Sequence, residues 1–183
     1  MKTSSKLPQT AKSVAKTSAP QAAVHYRVEV ADLHAHLFRI TLTVASPASL
    51  QTLRLPAWIP GSYLLREFAK HLQKLECRQG GKRVAVEQLD KATWQATCRP
   101  ELPLDVSYEV YAFDASVRTA WLDAQRGFFN GTSLCLQVPE AAALPHTLEM
   151  LPVADAQGWQ LATGLEPVRI DKAGFGLYHA ADY

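Results

Sequence analysis

Val24-His25-Tyr26-Arg27-Val28-Glu29-Val30, followed closely by Phe38-Arg39-Ile40-Thr41-Leu42-Thr43-Val44, decides the fold. In both stretches apolar residues fall at every second position and polar residues fill the gaps, the period of a strand buried on one face only. Shorter runs of the same kind lie at residues 50–55, 74–77, 84–86, 93–98, 104–113, 133–138 and 147–151. Strands this close together predict an all-β domain: an antiparallel β-sandwich or saddle-like sheet with at most one or two short helices. Gln79-Gly80-Gly81-Lys82 separates two of the runs as a hairpin turn, and Pro100 and Pro103 break another pair. One short helix is expected after Trp58-Ile59-Pro60-Gly61-Ser62, with Ser62 as its cap and Leu64, Phe68 and Leu72 at helical spacing.

Residues 1–23 are Lys, Ser, Thr, Ala, Pro and Gln with little to bury, so they are expected to form a disordered basic tail. Residues 24–183 then make one β-rich domain, long enough for a single core. The formal charge of +2 is misleading, because Lys2, Lys6, Lys12 and Lys16 belong to the tail and the remainder carries about −2. A nucleic-acid reader needs a basic face on the fold itself, and none is expected here. No apolar run approaches the roughly 18 residues of a membrane span. Cys77, Cys98 and Cys135 are odd in number and fit neither a C-x-x-C pair nor a zinc ribbon, which predicts buried free thiols and a reducing, cytoplasmic setting.

No complete catalytic constellation is legible, so neither a catalytic residue nor a cofactor is expected of this chain. His34-Ala35-His36 would put two imidazoles on one strand face, but parity continues that face into Phe38, Ile40 and Leu42, so both are expected at the edge of the core rather than on a metal. Ser62 follows Pro60-Gly61 without the second glycine of a nucleophile elbow. The six histidines never form His-Glu-x-x-His. What stands out is a pair of dense segments, residues 55–68 (LPAWIPGSYLLREF) and residues 117–133 (VRTAWLDAQRGFFNGTS). Trp58, Tyr63, Arg66, Arg118, Trp121, Asp123, Phe129 and Asn130 are the candidate substrate-cleft or interface residues, since loops mixing aromatics and charges on a β scaffold often bind. The bland alternative makes Trp58 and Phe129 core plugs and Arg66 with Asp123 a structural ion pair.

Residues 55–68, 117–123 (VRTAWLD) and 127–134 (GFFNGTSL), together with residues 108–114 (YEVYAFD) and 162–165 (ATGL), resemble the N-terminal domain of the glycyl aminopeptidase family, bacterial zinc metallopeptidases that carry a PDZ domain. The resemblance runs from residue 24 to the end and implies a fragment ahead of a catalytic domain. That missing domain would hold the zinc and remove N-terminal glycine or alanine from peptides, with zinc-activated water and a glutamate base. This chain would pack on it and wall the substrate cleft, with Tyr63, Arg66, Asp123 and Asn130 facing the cleft or the interface. Asp123 and Asn130 suit a substrate ammonium by residue type. Separated from its partner, such a domain is expected to self-associate. Two other readings stand beside this one: a free-standing sandwich binding peptide or glycan through Trp58, Trp121 and Phe128, and a small cupin-like metal enzyme using His34 and His36.

Overall fold

The computed structural model describes residues 22–154 and 156–183. Most of the expected tail therefore lies outside the described residues, and Ala23, at its boundary, is bonded to Pro145 and Ala45. Thirteen strands follow: β1 Val24–Asp32, β2 Leu37–Val44, β3 Leu50–Arg54, β4 Leu72–Gln79, β5 Lys82–Arg83, β6 Val86–Asp90, β7 Thr93–Thr97, β8 Leu104–Tyr111, β9 Ala120–Leu122, β10 Gly127–Phe129, β11 His146–Met150, β12 Glu166–Ile170 and β13 Gly176–Ala180. A single α-turn, α1 at Gly131–Leu134, and two 3-10 turns complete the described elements. The fold is all-β, as the alternation predicts.

One large sheet has the order β12-β13-β11-β1-β2-β8-β4-β5. The register aligns the apolar rows, with Val24, Tyr26 and Val28 of β1 opposite Val44, Leu42 and Ile40 of β2. Those in turn face Leu104, Val106 and Tyr108 of β8. A slip of one residue would turn all of them to solvent, so burial of this face sets the pairing. The opposite face is polar: Arg39 reaches Glu29 at 3.2 Å and Glu109 at 2.9 Å, and Lys74 reaches Glu109 at 2.9 Å. Lys74 sits at φ 56 in a bulge of β4, which turns its ammonium toward Glu109.

The inward face is covered in part by the three-stranded sheet β3-β7-β6, whose Leu53, Trp94 and Ala96 join the same core. The hairpin β9-β10 and α1 cover another part through Ala120, Leu122 and Leu134. One pair departs from the antiparallel expectation, because β1 and β11 run parallel. The chain between them builds the second layer and returns, as a parallel pair requires a long crossover.

Several local expectations are met. Gly80 and Gly81 turn at φ 53 and 78, the left-handed values that a two-residue hairpin needs. All three cysteines are buried free thiols, and burial pushes Cys77 and Cys135 up to about 12. Among the described residues no helix is long and apolar enough to cross a membrane.

Others are corrected. The expected helix near Ser62 is a loop ending in a 3-10 turn at Phe68–His71, and Leu72 already pairs with Val110 as a strand residue. The Ser62 hydroxyl closes its own turn on Leu64 instead, donating to its carbonyl at 2.8 Å and accepting from its N–H at 3.3 Å. His34 and His36 lie in the β1–β2 turn rather than on a strand face, because Asp32 Oδ1 accepts from the N–H groups of His34 and Ala35 and ends the alternation. The run at 84–86 is where the chain leaves the large sheet for the small one, with Val84 bonded to Cys77 and Ala85 to Thr97.

Residues 133–138 are not a strand either. Gln137 makes an isolated bridge to Arg54, and tyrosine hydroxyls meet much of the backbone at 134–136. Tyr108 Oη donates to Leu134 O at 2.7 Å and accepts from Leu136 N at 3.0 Å. Tyr26 Oη donates to Leu136 O at 2.8 Å, and Tyr183 Oη to Cys135 O at 2.7 Å. At 134–136, side chains from three separate places thus stand in for a neighbouring strand, which periodicity cannot reveal.

Candidate functional site

The first dense segment is folded on itself. Arg66 N–H bonds to Ala57 O, and Trp58 Nε1–H donates to Ser62 O at 2.7 Å, with Gly61 turning at φ 80 between them. The loop is thereby shaped without a core of its own. Trp58 stays 50% exposed and Tyr63 wholly so, with Leu64 and Leu65 beside it at 63% and 79%. Trp58 is therefore no core plug.

In the second segment Asn130 is a tie. Its Nδ2 donates to Val117 O at 2.8 Å, while its carbonyl accepts from both the N–H and the Oγ of Ser133. The loop at 114–119 is thus fastened to the start of α1. Phe129 packs its ring edge-on against Phe38 at 5.4 Å, in the role of a core plug. Arg118 is half-buried, and its backbone N–H bonds to Ser116 Oγ at 3.2 Å.

Asp123 makes the β9–β10 turn. Its Oδ1 accepts from the N–H groups of Gln125 and Arg126 at 2.8 and 2.9 Å, and its Oδ2 accepts from Trp121 Nε1–H at 2.9 Å. The Gln125 and Arg126 N–H groups, then the Trp121 indole, hold its carboxyl below the usual carboxylate value. No ion pair joins it to Arg66, whose Nε is buried without a hydrogen-bond partner. Trp121 stacks on Phe113 at 4.3 Å, Phe113 stacks on His36 at 3.8 Å, and Arg126 lies 6.0 Å from the Trp121 ring.

A depressed carboxyl pKa contributes stability that is present above the ordinary value of about 4 and lost as pH falls through the folded-state value. Asp123→Ala is therefore expected to melt below the parent at neutral pH, with the gap closing in acid. Thermal melts at about pH 7 and about pH 2 check this. A gap unchanged in acid would mean that the carboxylate charge is not what holds the turn.

The two segments meet at a cleft of about 680 Å³ in which Ile59 and Pro60 face Asn130, Gly131 and Thr132, with His146 and Tyr183 on its other side. Arg66 and Thr119 share a smaller cleft of about 400 Å³ with Asp114 and His71. The larger cleft carries two polar atoms that sequence reasoning missed. Thr132 Oγ1 and His146 Nε2 are buried with no hydrogen-bond partner. His146 Nδ1 lies 2.7 Å from Leu144 O, a carbonyl that can only accept, so Nδ1 carries the proton and Nε2 is left as an acceptor. Burial pushes the ring below the usual histidine value, which favours its neutral form. Nothing in the sequence distinguishes His146 from the other histidines.

Trp121, Asp123 and Phe129 belong to the hairpin on the far side of Asn130 and do not enter the larger cleft. Among the described residues no three His, Cys, Asp or Glu side chains come together. A zinc ion finds no ligand set among them.

Residues 25–183 match the family described as the Peptidase M61 N-terminal domain. The chain belongs to that family. The M61 N-terminal domain is similar to part of the crystal structure of an aminopeptidase N family protein from Idiomarina loihiensis, at 41% identity and a TM-score of 0.84. That match covers 87% of this chain and 27% of the other, so the chain spans about a quarter of its relative. An M1 zinc metallopeptidase from Deinococcus radiodurans is matched at 15% identity and a TM-score of 0.47, over 85% of this chain and 37% of that one. Comparison with the curated proteins gives no match.

Proposed function

We propose that this M61 N-terminal domain is the non-catalytic, substrate-side domain of a zinc-dependent aminopeptidase of the glycyl aminopeptidase type. It packs on a catalytic domain through the face formed by residues 57–66, 114–119 and 130–132, and there walls the cleft that takes the peptide. Zinc, the chemistry it supplies and any PDZ domain belong to that partner. A cytoplasmic setting agrees with three buried, unpaired thiols.

The observation that carries this reading is an unfinished surface. Tyr63, Leu64 and Leu65 are exposed side by side, Leu65 lines smaller clefts beside Arg66 and beside Thr132, and Val117, tied to Asn130, is exposed as well. Contiguous exposed apolar side chains mark interaction surfaces. A docked domain supplies the cover for these exposed side chains. Asn130 Nδ2 and both Asp123 oxygens are already engaged within the domain, so Asn130 shapes the proposed face through Val117 and α1, while Asp123 holds the β9–β10 turn outside it.

Leu65→Glu tests the docking, because Leu65 is too exposed to matter to the domain's own folding. In the intact peptidase this change is expected to lower kcat/KM on glycine- or alanine-initiated peptides by about tenfold, the equivalent of about 1.4 kcal/mol. The melting of the chain by itself should not change. Full activity in the variant would overturn the docking face.

A further inference from the structure

The second layer of the fold has a gap. The three-stranded sheet covers the β8–β4 side of the inward face, where the Gln79 amide bonds to Arg99 O and Leu102 O. Over β11 and β13 that cover is missing, and a groove of about 560 Å³ opens there. Its floor is Phe38, Met150, Phe175 and Tyr178, all buried. Its walls are Phe128 and Phe129 of the β9–β10 hairpin on one side and Trp159 on the other.

The walls are fixed. Leu161 N–H bonds to Ala173 O at 2.8 Å, holding the 158–165 loop to the turn before β13. Asp123 fixes the opposite hairpin as described above. A groove of this size, aromatic on three sides and held open, has the form of a small-molecule site rather than of a packing flaw.

Among the described residues lining it, Arg126 is the only charged one, with Gln125, Gln160 and Thr163 as neutral polar neighbours. Its guanidinium has no carboxylate within ion-pair distance among the described residues. The nearby Asp123 carboxylate is already taken by backbone N–H groups and the Trp121 indole. A cation among the lining residues of an aromatic groove, its guanidinium 6.0 Å from the neighbouring Trp121 ring, complements a ligand with a large apolar body and one carboxylate.

The geometry points to a binding site for an apolar carboxylate in the groove between the β9–β10 hairpin and the 158–165 loop, with Arg126 pairing the carboxylate and Trp159, Phe128 and Phe175 enclosing the apolar group. The carboxylate is either that of a free apolar acid or the C-terminal end of a peptide. This site does not rest on the docking reading, since a Leu65→Glu protein that fails to dock keeps the groove intact.

Titration of the full chain with N-acetylphenylalanine, N-acetylphenylalaninamide and an acetylated tripeptide ending in phenylalanine tests it, read by calorimetry and by the Trp159 indole N–H resonance. The acid is expected to saturate and to shift Trp159, with the amide at least tenfold weaker. A tripeptide as strong as the acid identifies a peptide end as the ligand, and a much weaker one a free acid. Arg126→Gln should erase the preference for acid over amide while its melting midpoint stays at the parent value, because the backbone N–H of residue 126 still serves Asp123. Trp159→Ala should weaken acid and amide alike. Equal binding of acid and amide, no saturation, or an unchanged preference in Arg126→Gln would overturn the proposal.

Discussion

Gly176→Ala is expected to lower the stability of the domain by about 3–4 kcal/mol, the larger of the two effects foreseen, because the new methyl has nowhere to go. Gly176 has φ 139, a backbone conformation that L side chains rarely adopt. A Cβ built there would lie 2.2 Å from Arg169 O and 3.0 Å from Ile170 Cα, both backbone atoms of β12. Neither can swing aside as a side-chain tip would. The strand must either unpair from β12 or change its own φ, and β13 also pairs with β11, where Gly176 faces Met150. For a domain of this size the loss corresponds to a fall in melting temperature of roughly 10 °C. A thermal melt of the variant beside the parent decides it, and a midpoint within about 2 °C would show that β12 is free to move away.

Tyr108→Phe is expected to cost about 3 kcal/mol, although it removes a single oxygen. Tyr108 is 1% exposed and its hydroxyl serves two backbone groups at once, Leu134 O and Leu136 N. Deleting it leaves a buried acceptor and a buried donor unpaired, each costing about 1–3 kcal/mol, with no water able to reach them. The effect bears on function as well as stability, since Leu134 ends α1 and α1 carries Gly131 and Thr132 of the larger cleft. Urea unfolding should show a lower midpoint with the slope unchanged, the mark of lost stability in an intact fold. Amide exchange at Leu136 should accelerate out of proportion to global unfolding. Unaltered protection at Leu136 would mean that its N–H has found another partner.

The legible and illegible parts of this protein separate along one physical line. Strands whose alternation reflects one buried and one wet face, such as β1, β2, β7 and β8, are readable because burial is written into every second residue. Strands β12 and β9 are not. Every residue of β12 is exposed and one of them is Pro167, so it has no buried face to leave a period. β9 is only three residues long. The helix expected after Ser62 fails for a related reason: Leu64, Phe68 and Leu72 have the right spacing, but Leu64 is exposed to solvent or a partner while Leu72 joins a sheet.

The candidate site divides in the same way. Trp58, Tyr63 and Asn130 stand out by composition, and the fold leaves Trp58 and Tyr63 exposed in one loop while it spends the Asn130 side chain on tying down another. Asp123 stands out equally, yet its carboxylate closes a hairpin, a use that shares its residue type with ligand binding. Residue type states what a side chain can bond to; only the neighbouring backbone decides what it does bond to.

By itself, then, the amino-acid sequence determined the all-β class, the inward rows of the central strands, the glycine hairpin and the buried thiols, because each follows from a local period or a local backbone requirement. The motifs in residues 55–68 and 117–133 also marked the family. Only the tertiary structure decided that β11 returns parallel beside β1, that three tyrosines hold residues 134–136, that His146 and Thr132 are orphaned in one cleft, and that an aromatic groove opens beside Arg126. Each of these depends on groups far apart in sequence meeting in space, and a distance across the fold leaves no period along the chain.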